Sequence, residues 1–199
     1  MNGAQTGAAK APAASGTASR PAGICGLPER EPHDHDDAMN SQSKILPLEA
    51  LPAWRNALRL AGKRLVVTNG CFDLLHAGHV TYLEAARNQG EALLVGLNSD
   101  HSVRMLKGPA RPINHEQDRA RVLAGLAAVD AVCIFEERSA ARFLALAQPD
   151  IYVKGGDYTL ESLDPEERSL VEQAGGRICI LPLVPGKSTT AMLERIARG

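Results

Sequence analysis

Thr68-Asn69-Gly70-Cys71-Phe72-Asp73-Leu74-Leu75-His76-Ala77-Gly78-His79 joins a short β-rich run, Arg64 to Thr68, to a stretch with helical spacing, Val80 to Asn88. Val80, Leu83 and Arg87 share one face of that stretch, which ends before Gly90. Strand, tight turn and helix therefore follow one another. Gly70 lets the backbone turn sharply and approach a ligand. His76 and His79 are three residues apart and share a face wherever the turn is helical. Gly78 leaves no side chain between the two imidazoles. The helix that follows presents unpaired N–H groups and a partial positive charge to the same space. Paired imidazoles at a helix N-terminus suit an anion, above all a phosphate whose charge grows during a reaction. No nucleophile accompanies them in the motif, so the role read is electrostatic. Helix capping and zinc ligation are the other uses of such a pair. Zinc needs further ligands at fixed spacing, and the sequence shows none.

The alternation continues outward from this stretch. A helix from Pro52 to Leu60 precedes it. Ala92 to Leu97 is a continuous apolar strand. Asn114, with Gln117 three residues on, has capping-box spacing, and Val122, Leu123 and Leu126 form the apolar face of the helix it opens. Ala131 to Phe135 is a third strand, Ser139 to Ala147 a helix closed by Pro149, and Asp150 to Lys154 a fourth strand. Pro165 to Ala174 reads as a helix that stops at Gly175-Gly176. Arg177 to Leu181 is a fifth strand, and Ser188 to Ala197 a last helix. Apolar strands separated by helices require crossover connections, so the expectation is a parallel sheet covered on both faces. Such sheets bind ligands beyond the carboxyl ends of their strands, where the strand order reverses. The residues after Thr68, Leu97, Lys154 and Leu181 are the ones to inspect.

The chain has 199 residues, with Lys plus Arg at 22, Asp plus Glu at 23 and a net charge of −1. That balance excludes a broad basic surface for nucleic acid and an acidic solvating tail. Apolar runs are too short to span a bilayer, and the first residues lack the apolar core of a signal peptide. Cys25, Cys71, Cys133 and Cys179 are scattered with no CxxC pair, so they read as reduced cytoplasmic thiols. Met1 to Ser43 is rich in Ala, Gly, Ser, Thr and Pro, has no apolar period and reads as a disordered tail. Its His33-Asp34-His35-Asp36-Asp37 run reads as solvated, because a flexible segment gives a metal no fixed geometry. Met39 offers a later start. The folded domain is expected from residue 44 to 199.

The stretch TNGCFDLLHAGH resembles the nucleotidyltransferase signature built on HxGH, shared by cytidylyltransferases and adenylyltransferases. Asn98-Ser99-Asp100, Leu106 to Pro112, Val153 to Tyr158 and Ser188-Thr189-Thr190 are most similar to the heptose 1-phosphate adenylyltransferase family. The resemblance runs from about Lys44 to Ile196. In many bacteria this activity is the second half of a protein whose first half is a sugar kinase, and the present chain resembles the stand-alone version. It implies a Rossmann-like three-layer α/β fold with a five-stranded parallel sheet, in a cytoplasmic enzyme that is commonly a homodimer. The implied reaction moves AMP from ATP to D-glycero-β-D-manno-heptose 1-phosphate, giving ADP-heptose and pyrophosphate for lipopolysaccharide core assembly. Mg²⁺ would travel on the ATP phosphates, with no metal site of the protein's own. Neither a nucleic acid nor a membrane is an expected partner.

His76, His79 and Lys107 are the expected catalytic residues, with the imidazoles on the α-phosphate and Lys107 on the outer phosphates. Thr68, Asn69, Gly70, Cys71, Phe72, Asp73 and Gly78 of the signature are expected around the nucleotide, as are Asn98, Asp100, Arg111, Lys154, Gly155, Ser188, Thr189 and Thr190. Gly156 and Asp157 are expected at the sugar substrate. Each block has a plainer reading beside this one. Lys107 and Arg111 bracket what reads as a solvated Pro/Gly loop. Lys154 to Asp157 is also ordinary turn chemistry. Ser188 to Thr190 also caps a helix, Cys71 also packs, and Asp73 also braces the turn. Related cytidylyltransferases carry Arg-Thr-Glu-Gly-Ile-Ser-Thr before the last helix, where this chain has Pro185-Gly186-Lys187-Ser188-Thr189-Thr190. The absent arginine counts against cytidylyl transfer to glycerol 3-phosphate or a phospho-amine, which is the rival reaction; Lys187 is the substitute charge. A non-catalytic nucleotide-binding module is the third reading.

Overall fold

Five short apolar runs become the strands β1 (Leu65–Gly70), β2 (Ala92–Asn98), β3 (Ala131–Phe135), β4 (Ile151–Gly155) and β5 (Arg177–Leu181). The structure, a computed structural model, describes residues 40–156, 158–182, 192, 193, 195 and 198. All strand pairs are parallel, and the order is β3-β2-β1-β4-β5. Helices α1 (Leu51–Leu60), α2 (Ala77–Arg87), α3 (Asp100–Lys107), α4 (Glu116–Ala124), α5 (Ala141–Ala147) and α6 (Pro165–Gln173) form the connections.

Alternation along the strands sorts side chains onto two faces. Leu65 and Val67 enter one buried cluster with Leu51 of α1, Phe143 and Leu144 of α5 and Val171 of α6. Val66 enters the other, with Leu83 and Ala86 of α2 and Ala120 and Leu123 of α4. The sheet is thus covered on both sides, giving the expected Rossmann-like three-layer α/β arrangement. Order reverses between β1 and β4, so the crevice opens at the end of β1.

The structure departs from the sequence-based expectations in four places. Residues 40–43, assigned to the tail, are built into the domain. Asn40 accepts from the Gln42 N–H and caps a 3₁₀ helix, Ser41–Lys44. Lys44 Nζ donates to Val129 O at 2.8 Å, and the Leu46 N–H donates to Val132 O at 2.8 Å. Asn and Ser there supply cap chemistry, which composition alone cannot distinguish from disorder.

Between β2 and the Lys107–Arg111 loop lies a helix, α3, that the sequence reading does not contain. Ser99 caps it by accepting from the Ser102 N–H at 3.1 Å. Only Ser102 and Val103 are buried in it, so no apolar period announces the helix. The capping box at Asn114 does not form: α4 starts at Glu116 with His115 at the N-cap, and the Asn114 amide donates to Asp73 O instead. Val122, expected on the apolar face, is 54% exposed. Finally, α5 begins at Ala141 and ends on Gln148 in the left-handed region, φ 44°. The expected last helix lies mostly outside the described residues.

Candidate active site

Beyond Gly70 the chain makes a strained turn that aims the signature. Phe72 sits at φ 41°, a left-handed conformation costing about 1–2 kcal/mol for a side-chain-bearing residue. Its ring lies over Gly70, where a Cβ would come within 3.0 Å of Phe72 Cε2. The same ring meets His79 edge-on, with centroids 5.4 Å apart. Asp73 holds the turn in place, accepting from the Ile113 N–H at 2.8 Å, the Asn114 N–H at 3.1 Å and Arg111 Nε at 2.6 Å. Its side chain is 1% exposed. The carboxylate therefore braces the loop 111–114 against the signature.

His76 is the N-cap residue of α2, but its side chain makes no capping hydrogen bond. Its backbone carbonyl takes the His79 N–H at 2.9 Å. The two rings stack with centroids 3.8 Å apart and planes 18° from parallel. Gly78 lies between them in sequence, buried in the first turn of α2. Burial, then the positive fields of His76 and Lys107, lower the His79 pKa to about 4. His79 is thus neutral at pH 7. Its buried Nδ1 has no hydrogen-bond partner among the described residues.

Lys107, at the exposed C-terminal end of α3, shares its field between His79 and Cys71. The Lys107 charge is therefore felt at the signature, at His79 and at Cys71. Burial raises the Cys71 thiol pKa, while Lys107 and Arg119 pull it back.

Other expected nucleotide residues have internal partners. Thr68 Oγ1 lies 2.8 Å from the Tyr82 hydroxyl, which donates to Val153 O. The Asn98 amide donates to Ser102 Oγ at 2.8 Å. The Asp100 carboxylate takes Arg119 and His115. Arg111 is paired to Asp73, although its buried Nη2 has no hydrogen-bond partner among the described residues. Asn69 Oδ1 accepts from Lys154 Nζ at 2.8 Å across the switch point. Gly155 ends β4 and accepts from the Tyr158 N–H, and Gly156 is exposed. Asp157, Lys187, Ser188, Thr189 and Thr190 lie outside the described residues.

Nothing in the sequence singles out Arg119, which organises the crevice wall. From α4 it donates to Cys71 O at 2.6 Å, Asn98 O at 2.9 Å, Asn114 O at 2.9 Å and Asp100 Oδ1 at 2.8 Å. It links the ends of β1 and β2 to the starts of α3 and α4. In Asp118-Arg119-Ala120-Arg121 it reads as one more charge on a solvated face. Tyr152 and Glu167 are equally inconspicuous, and both reach Asn69 or its partners. A cavity of about 220 Å³ lies beside the signature, lined by Phe72, Asp73 and Leu75 and, from the α4 side, Asn114, Asp118, Arg119 and Val122.

Among the described residues no group of three or more His, Cys, Asp or Glu side chains converges as a metal site. No described helix is long and apolar enough to cross a membrane. The arrangement offers an anion two stacked imidazoles, a lysine and the N-terminus of α2.

Known proteins place this arrangement in context. The chain is 52% identical over 167 residues to the bifunctional protein HldE of Geotalea uraniireducens, covering 84% of this chain and 33% of that protein. It is 49% identical over 154 residues to the bifunctional protein HldE of Methylobacillus flagellatus, covering 77% of this chain and 31% of that protein. The chain spans about a third of the length of these curated relatives. The crystal structure of the lipopolysaccharide core biosynthesis protein from Thermoplasma volcanium superposes with a TM-score of 0.51 at 28% identity. That match covers 62% of this chain and 98% of the other. The cytidylyltransferase-like family model matches residues 67–180, from within β1 to within β5. With the signature at the strand-order reversal and its two histidines stacked there, the chain belongs to the cytidylyltransferase-like family, a family of nucleotidyltransferases.

Proposed function

We propose that this chain transfers the adenylyl group of ATP to D-glycero-β-D-manno-heptose 1-phosphate, releasing pyrophosphate and forming ADP-heptose for lipopolysaccharide core assembly. The observation that carries the reading is the stacked His76–His79 pair at the start of α2, within the field of Lys107. The names of the relatives and the solved lipopolysaccharide core protein support the choice of acceptor and pathway. We assign the activity to the folded domain, from residue 40 onward, and, following the resemblance, to a cytoplasmic homodimer.

A phosphate oxygen of the sugar 1-phosphate attacks the α-phosphorus of ATP. The bond from that phosphorus to the bridging oxygen of the β-phosphate breaks, and pyrophosphate leaves with the electron pair. No covalent enzyme intermediate is needed. Catalysis is positioning plus stabilisation of charge on the α-phosphate oxygens. His76 and His79 donate to those oxygens. A nearby triphosphate reverses the local field, so His79 gains a proton on binding and becomes a charged donor. Lys107 and the Nη2 of Arg111, which has no hydrogen-bond partner among the described residues, meet the outer phosphates, and Ser188, Thr189 and Thr190 are assigned to the nucleotide following the resemblance. Following the resemblance, Gly156 and Asp157 are assigned to the sugar. Magnesium enters as part of the substrate, on the triphosphate: Asp73 and Asp100 are already committed to arginines.

The test is a pyrophosphate-release panel with magnesium, setting ATP against CTP and heptose 1-phosphate against glycerol 3-phosphate and a phospho-amine. ATP with heptose 1-phosphate is the expected pair. Preference for CTP overturns the nucleotide assignment. Nucleotide binding without turnover of any pair would make the domain a non-catalytic module.

A further inference from the structure

We propose that Glu167 of α6 is a positioning residue for the nucleotide: through Tyr152 and Lys154 it fixes the Asn69 side chain at the strand-order reversal. The inference rests on the reading of this crevice as a nucleotide site.

Glu167 is buried, although nothing in Pro165-Glu166-Glu167-Arg168 marks it off from a solvated first turn. Its Oε1 accepts from the Ala140 N–H at 2.8 Å, just before α5. Its Oε2 lies 2.8 Å from the Tyr152 hydroxyl and 3.3 Å from Lys154 Nζ, and the Lys154 and Glu167 side chains are each 8% exposed. One carboxylate thus ties α6 and α5 to β4. A buried ammonium needs such a counter-charge to remain charged and in place.

The held groups converge on Asn69 of β1. Its Oδ1 lies 2.8 Å from Lys154 Nζ and 2.7 Å from the Tyr152 hydroxyl. An ammonium has donors only, so the Asn69 atom facing it is the oxygen and the amide orientation is set. The Tyr152 hydroxyl has one proton for two acceptors, Asn69 and Glu167, and couples them. Asn69 Nδ2 makes no hydrogen bond to any described residue. It is a donor of fixed direction, one residue before Gly70, suited to a phosphate or ribose oxygen. Loss of Glu167 would remove the counter-charge beside Lys154 and the second acceptor of Tyr152, and so loosen the hold on the Asn69 amide.

Tyr152→Phe removes one hydroxyl and keeps the ion pair; Glu167→Gln removes the charge. Dissociation constants for ATP and for CTP, measured by calorimetry on the full chain, read the inference without turnover. Weakening of the preferred nucleotide by about tenfold is expected for Tyr152→Phe and about 10–100-fold for Glu167→Gln, the range for hydrogen bonds involving charged groups. In pyrophosphate release the loss should fall on KM for the nucleotide, with KM for the acceptor unchanged. The double variant should lose less than the product of the two single losses, because both act through one network. If Glu167→Gln fails to fold, Tyr152→Phe still decides. Wild-type nucleotide affinity in a folded Tyr152→Phe, or multiplicative losses in the double variant, overturns the inference. A wild-type chain that binds nucleotide but releases no pyrophosphate retires the transferase reading alone. A wild-type chain that binds neither nucleotide overturns both.

Discussion

Lowering the pH tests the electrostatic heart of the site. In the folded chain the His79 pKa falls from the ordinary 6.5 to about 4, chiefly through burial and then through His76 and Lys107. Unfolded, the same ring binds a proton below pH 6.5. Between pH 6.5 and 4 the unfolded state therefore holds more protons, and stability falls as pH falls. Above 6.5 His79 contributes no pH dependence, and below 4 its effect is complete. A shift of this size corresponds to roughly 3 kcal/mol at full weight. The ring is only partly buried, so solvent screening reduces this to about 1–2 kcal/mol. Urea unfolding at pH 7.5, 5.5 and 4.5 should show that loss in the wild type and a flatter profile in His79→Gln. Titration of the ring protons by NMR should give a midpoint near 4 that rises in His76→Ala, as the facing ring is removed. ATP should raise it further, with proton uptake seen by calorimetry in buffers of different ionisation enthalpy. A His79 midpoint of 6 to 7 in the free folded chain would refute the reasoning, as would an unchanged pH profile in His79→Gln.

Other perturbations address separate links of the structure. His79→Ala should keep the fold and bind ATP while turnover in pyrophosphate release falls about 10²–10³-fold; near-normal turnover would remove the ring from the mechanism. Arg119→Met leaves the partly buried Asp100 carboxylate with only the exposed His115 ring and takes the Arg119 donor from the Cys71 and Asn98 carbonyls, and should cost about 3–5 kcal/mol in denaturant unfolding. Gly96→Ala places a Cβ 2.5 Å from Phe143 Cε1 and should destabilise by about 1–3 kcal/mol through overpacking, read as a lower melting temperature. Burial raises the Cys133 thiol to about 12, so native-state labelling at pH 8 should leave it unmodified by mass spectrometry until the chain unfolds.

Much of the architecture is legible because strand formation here is a local matter. Runs such as Ala92 to Leu97 and Ala131 to Phe135 are buried on both faces of a parallel sheet, so an unbroken apolar run is their signature. The signature histidines are legible for the same reason: their spacing and the adjacent glycines are local. Helix α3 is hidden because its buried residues are only Ser102 and Val103, too few for a period. The Asn114 capping box is present as a pattern but outcompeted, since Asp73 takes both the Asn114 N–H and, by its carbonyl, the Asn114 amide.

The sequence by itself determined that β1 runs into a glycine turn and a histidine-bearing helix, and that the sheet is parallel and covered on both sides. Only the tertiary structure decided what those histidines experience and who holds the walls around them. His79 is neutral chiefly because packing buries it, and then because the stacked His76 ring and the Lys107 charge act on it. Arg119 reaches Cys71 O, and Tyr152 reaches Asn69, across 48 and 83 residues of chain. A side chain's partners at such separations follow from how strands and helices pack, and packing is set by the whole chain at once. Periodicity shows which residues are buried; it carries no record of which buried charge meets which carbonyl.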